Sequence, residues 1–264
     1  MTFRTVRSLF LAVVFASMAG VIWPEDAVAP SNSALTAAQI VEQIQLHSQA
    51  RTEELKHYQA MRHYQVEYRG FSANVTARME VEADYDALSG KSFRIVSQSG
   101  PKFLCEKVLK RAVDSEKEAS RDTGATALTE ANYRFRLAGS ESLGGRPAYI
   151  LNVEPLKESK FLYRGKIWVD AADFAVVKME TEPARSPSFW ISRTLIQYTS
   201  AKTNGIWLPR EVRSETRVRI GGTAVLTIDY GTYRIVSNGS SQAMDIDKKK
   251  RPETGAAGRS DAVI

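Results

Sequence analysis

The chain has a single cysteine, Cys105, which excludes an internal disulfide and any cysteine-based metal cluster. Set among apolar helix positions, it reads as a small buried hydrophobe. Histidine is scarce as well. His47, His57 and His63 are the full set, and their spacing puts no two on one helical face as metal ligands. There is no G-x-S-x-G elbow, no phosphate-cradling glycine loop and no Cys/His arrangement, so neither enzyme chemistry nor a cofactor is expected. No block of one charge sign occupies the body of the chain. The formal charge is +6 over 264 residues, with Lys and Arg dispersed among almost as many acids. That distribution argues against nucleic acid as a partner and leaves room for weak attraction to anionic lipid headgroups.

Long apolar runs are also missing. The longest apolar stretch, Ser8–Trp23, is too short for a comfortable membrane span, and Arg4 and Arg7 precede it, the pattern of an export signal. Residues 1–29 are read as a signal peptide, with cleavage after Ala19 or after Ala29, or as an uncleaved anchor. Residues 30–238 form the folded domain. Residues 239–264, with Lys248-Lys249-Lys250-Arg251 in a Gly/Ala/Ser-rich setting, read as a disordered basic tail. The protein is expected in a periplasm, membrane-anchored if the signal stays on.

Two stretches have helical period. Thr36-Ala37-Ala38-Gln39 has the spacing of a capping box, and Ala37, Ile40, Ile44, His47, Arg51, Leu55 and Tyr58 form a stripe from 37 to about 58. Gly100-Pro101 opens a second helix to about Ser120, with Leu104, Cys105, Val108, Leu109, Ala112 and Val113 on its apolar side. The rest has period two. Val75, Ala77, Met79, Val81, Ala83 and Tyr85 alternate with polar residues, as do Ala131, Tyr133, Phe135 and Leu137, and Tyr149, Leu151 and Val153. Around the corner Ala171-Ala172-Asp173, one arm carries Phe161, Tyr163, Ile167 and Val169 on one face and the other carries Ala175, Val177 and Met179. Gly165 leaves a gap for a bulge, a bend or a closely packed partner. Trp190 and Ile196 follow on one strand, and Asn204-Gly205 is a strong hairpin turn. Roughly ten strands joined by short turns predict an antiparallel meander. The fold class is mainly β (α+β), a sheet curved into an unclosed barrel with two amphipathic helices over its concave face.

Four segments, Tyr64–Phe71 (YQVEYRGF), Asn132–Leu137 (NYRFRL), Gly165–Asp170 (GKIWVD) and Gly205–Pro209 (GIWLP), together with the order of elements, resemble the periplasmic lipoprotein carriers, the LolA/LolB-like superfamily that includes RseB-type sensor domains. The resemblance spans about residues 34–236. It implies an unclosed β-barrel with a helical lid over a hydrophobic cavity, no catalysis, and reversible binding of lipoprotein acyl chains or lipids. The residues expected to line that cavity are Met79, Val81, Tyr133, Phe135, Tyr149, Leu151, Phe161, Tyr163, Ile167, Val169, Val177, Met179 and Trp190. The alternative is an envelope sensor or scaffold of the same fold that binds a protein partner.

Overall fold

The computed structural model describes residues 35–70, 74–186, 189, 191–219, 221–237 and 240–243. The first helix, α1 (Ala37–Glu54), starts at the anticipated capping box. Gln39 N donates to Thr36 Oγ1 at 3.3 Å, and Thr36 N donates to Gln39 Oε1 at 2.9 Å. Two first-turn donors that have no intrahelical acceptor are thereby satisfied. The helix ends earlier than the stripe suggests. Leu55 is its C-cap in extended conformation, and Tyr58 lies in β1 (His57–Arg69). Tyr58 satisfies a helical and a strand pattern at once, and pairing with Tyr85 and Ile235 on the two flanking strands decides for the strand.

β1 is followed by β2 (Asn74–Asp86) and β3 (Gly90–Ser99). A helix over residues 102–121, here α2, contains one wide π turn, Cys105–Leu109, and a short turn Thr123–Thr126 follows it. The chain then returns through β4 (Tyr133–Leu143), β5 (Arg146–Pro155), β6 (Tyr163–Asp170), β7 (Val176–Pro183), β8 (Ile191–Thr203), β9 (Ile206–Val218), β10 (Thr223–Ser237) and β11 (Ser240–Ala243). The sheet order is β3-β2-β1-β10-β9-β8-β7-β6-β5-β4, all pairs antiparallel, with β11 added to the end of β10. β3 and β4 are its two edges and do not pair with each other, so the barrel is unclosed. β11 falls within the stretch read as tail. The basic run and residues 1–29 lie outside the described residues.

Each helix has its own core. Ile40, Val41 and Ile44 of α1 pack on Tyr133, Leu151, Val153, Leu162, Ile167 and Val169. Leu104, Cys105, Leu109 and Val113 of α2 pack on Tyr64, Val66, Ala77, Met79, Val81 and Ile228. A third cluster, with Tyr58, Ala60, Ile206, Leu208, Tyr233 and Ile235, sits at one end of β1, β9 and β10. Among the described residues, no helix is long and apolar enough to cross a membrane.

Candidate functional site

Strand pairing brings one row of side chains across the inner face of the sheet. Tyr64 faces Ile228, Ile228 faces Val212, Val212 faces Tyr198, Tyr198 faces Met179, Met179 faces Ile167, and Ile167 faces Leu151. Directly opposed residues of neighbouring strands share a face, so this row is continuous. Its two ends are buried beneath helices, whereas Met179, Tyr198 and Val212 in the middle are only half-buried. The next row, Thr181, Ile196, Ser214 and Leu226, and beyond it Thr194 and Thr216, repeat the pattern. The inner face of β7–β9 is therefore a trough between two helix-covered cores. It is floored by Met179, Ile196, Tyr198 and Val212 and edged by hydroxyls. Thr194 and Thr216 share a hydrogen bond of 3.1 Å. Thr181 Oγ1 is buried with no protein partner, and burial pushes the Tyr198 phenol up to about 12, so it stays a neutral hydrogen-bonding group at physiological pH.

The sequence-derived cavity residues fall into several groups. Tyr133, Leu151, Ile167 and Val169 are buried in the α1 core, with Phe135, Tyr149 and Met179 packed against it. Met79 and Val81 are buried in the α2 core. Two separate helix-filled regions thus hold side chains that period alone would assign to one cavity, and a ligand would reach the buried ones only if a helix moved, whereas half-buried Met179 also borders the trough. Phe161 and Tyr163 are half-buried where β6 begins, and Tyr163 N donates to Tyr133 Oη at 3.2 Å. Val177 is displaced to the outer face. A β-bulge shifts the register between Trp168 and Val169, which pairs Val176 with Val169 and places Val176 against the α1 core. Val177 lines an outer cleft of about 480 Å³ with Trp207, Arg146 and Lys178. Trp190 lies outside the described residues.

Both helices are tied down by charge. Arg62 on β1 is 1% exposed. Its Nη1 donates to Glu116 Oε2 of α2 at 2.6 Å, and its guanidinium lies 4.6 Å from the Tyr230 ring centroid and 5.1 Å from that of Phe93. Burial alone would raise the Glu116 pKa, but Arg62 and Lys91, at 2.6 and 3.3 Å, outweigh it and hold the carboxyl below its usual value. α1 is clasped by the β6–β7 corner. Arg51 Nη1 donates to the Asp173 carbonyl at 3.1 Å, and the His47 and Phe174 rings lie 5.3 Å apart. These contacts explain why His47 and Arg51 interrupt the apolar stripe of α1. The corner is itself braced. Arg146 grips Asp170 through Nε and Nη2 at 2.6 and 2.8 Å, and Asp173 Oδ2 accepts from Arg146, Lys202 and Trp207 at 2.8, 2.9 and 2.9 Å. Trp207 is thus committed to an outer-face network. Trp168 is also on that face, beneath the Lys178 ammonium at 4.2 Å.

No family model matches this chain, and no curated protein does. Solved structures do. A domain described as that of an outer membrane lipoprotein-sorting protein from Vibrio parahaemolyticus is 13% identical, with a TM-score of 0.40 over 76% of this chain and 93% of its own. A LolA superfamily protein from Nitrosomonas europaea is 14% identical, with a TM-score of 0.35 over 76% and 93%. This chain is similar to them in fold. A DUF1329 family protein from Desulfovibrio piger is 13% identical, with a TM-score of 0.38 over 78% and 96%. At these identities and TM-scores the likeness to LolA superfamily and lipoprotein-sorting proteins is one of fold alone.

Sequence reasoning reached Met179 and Ile196 but not Tyr198 or Val212. Tyr198 and Val212 alternate with Gln197, Thr199, Glu211 and Arg213, a period-two signal. It is diluted because Thr194, Ser214 and Thr216 put hydroxyls where a core strand would carry aliphatics.

Proposed function

We propose that this chain is an exported lipid-binding protein that holds acyl chains of lipids or lipoproteins in the trough of β7–β9 and carries them within the bacterial envelope. One observation carries the reading. The two helices fill separate cores, and between them the inner face keeps Ile196 and Tyr198 half-buried, with half-buried Met179 at the edge of the α1 core and Val212 at the edge of the α2 core. A floor of aliphatic and aromatic side chains, with a few hydroxyls at its edges, has the composition of an elongated amphiphile site. Acyl burial is favourable by about 0.8 kcal/mol per CH₂, so even a partly covered chain would be retained.

The test is native mass spectrometry of protein secreted to a bacterial periplasm and purified without detergent, paired with uptake of a fluorescent fatty acid. The parent is expected to carry an extractable acyl lipid and to take up the probe. Ile196→Asp and Val212→Asp should abolish both while leaving the circular dichroism spectrum unchanged, because these side chains are not deep in a core. Tyr133→Asp and Ile167→Asp are poorer probes, since both strike the buried α1 core. If the trough variants fold and bind lipid as the parent does, the site is elsewhere. A bare parent with no uptake would shift the reading to a sensor domain that presents its surface to a protein partner.

A further inference from the structure

The strand ends form two sets of connections with different chemistry. Where β1, β5, β7 and β9 finish, successive connections touch one another. Tyr68 Oη donates to the Gly221 carbonyl at 3.0 Å, the Arg219 guanidinium lies 5.1 Å from the Phe189 ring centroid, and Ala184 N donates to the Leu162 carbonyl at 2.7 Å. The four connections of this rim carry Lys157, Lys160, Arg185 and Arg219 against the single acid Glu158, and Arg69 stands at the end of β1. Phe189 on the rim is 75% exposed and Leu156 is 51% exposed. Phe103, 70% exposed, stands beside Lys102 just after β3 ends at the same side of the sheet. Arg69 and Lys160 are engaged with Glu67 and Glu118, while no ion pair among the described residues includes Arg185, Lys157 or Arg219.

The opposite set of connections is charge-balanced and self-paired. There Asp170 and Asp173 hold Arg146 and Lys202, and Asp86 accepts from Leu88 N and Ser89 N in its own turn. Leu88 is the one large apolar side chain that stands free there among the described residues. Single exposed hydrophobes are ordinary. Bulky ones on loops, set among an excess of cations, are the composition that enters an anionic membrane interface.

We propose that this rim is a docking surface for an anionic phospholipid bilayer, with Phe189, Leu156 and Phe103 entering the headgroup layer and Arg185, Arg219 and Lys157 meeting lipid phosphates. The α2–β4 connection, which carries Asp122 and Glu130, adjoins the rim at Leu156, whose N donates to the Asn132 carbonyl at 2.8 Å, so these two acids flank the surface at its β5–β6 side. The Thr194–Thr216 end of the trough runs toward the rim, so docking would bring that end against the lipid. Docking rests on the rim's own charges and exposed rings and needs no ligand in the trough.

The experiment is vesicle sedimentation of the full chain, as recovered after export, with phosphatidylcholine vesicles prepared with and without phosphatidylglycerol. Binding is expected only with phosphatidylglycerol present, and it should weaken as salt screens the attraction. Arg185→Ala with Arg219→Ala should weaken it about 25-fold, on the order of fivefold for each cation removed, and Phe189→Ala should weaken it further. Leu88→Ser, at the other end, should leave it unchanged. All these side chains are exposed, and near-ultraviolet dichroism checks that each variant is folded. The rim variants are expected to keep fatty-acid uptake, which separates docking from ligand binding. Replacing Lys248–Arg251 with alanines controls for the tail. The proposal is overturned if the rim variants sediment like the parent, if neutral vesicles bind equally, or if the tail replacement alone removes binding.

Discussion

Arg62 is the residue at which burial and charge conflict most directly. A guanidinium 1% exposed costs several kcal/mol to desolvate, and it is tolerable only with a close partner. Glu116 supplies that partner. Removing it by Glu116→Gln leaves a buried cation and should destabilise the fold by about 3 kcal/mol, read from urea denaturation. Replacing both, Arg62→Met with Glu116→Leu, should cost far less or stabilise, because neither desolvation penalty remains. The pH dependence has a definite sign. The Glu116 pKa is lowered by folding, so its contribution is present above the unfolded carboxylate pKa and is lost as pH falls through the lower folded value. Stability of the parent should drop below the ordinary carboxylate range, and Glu116→Gln should flatten that drop. Gly165 is the other decisive residue. It has φ of 142°, and a Cβ there would overlap the Glu180 carbonyl oxygen and come within 2.9 Å of Thr181 Cα. The gap noticed in the sequence is filled by the backbone of β7. Gly165→Ala should lower the melting temperature and disturb the β6–β7 pairing, visible as faster amide exchange along both strands.

At the scale of elements, the helices were legible because caps and stripes are local. Thr36 and Gln39 bond to each other within one turn, and no distant residue is needed to place them. Strand faces were legible for the same reason wherever the period ran unbroken, as in β2. They failed at Val177, because a bulge adds one residue and exchanges the faces, and bulges leave no reliable mark in composition. The roles of His47 and Arg51 were also hidden, since their partners Phe174 and Asp173 lie far along the chain. Phe174 has a φ of 47°, an uncommon conformation for a bulky side chain, held where its ring meets His47 and Tyr149. Arg51→Ala with Phe174→Ala should therefore loosen α1 selectively. Hydrogen exchange is expected to quicken in Ala37–Glu54 while the amides of α2 keep their protection, because α2 is held by separate contacts through Glu116.

At the scale of the molecule, β10 pairs with β1 on one side and β9 on the other. The chain must be nearly complete before β10 can occupy this central place. A chain ending at Gly222 should fail to fold, whereas one ending at Ala243 should melt cooperatively at the temperature of the full chain. Matched melts of the two truncations by circular dichroism would decide this. Period, turns and caps determined by themselves that this protein is a β meander with two amphipathic helices, because those signals act between residues a few positions apart. The tertiary structure alone decided which apolar faces the helices cover, that β7–β9 keep a half-open floor between two filled cores, and that Arg62 finds Glu116. Each of these depends on contacts between segments far apart in the chain, and sequence period carries no information about which distant face a given face will meet.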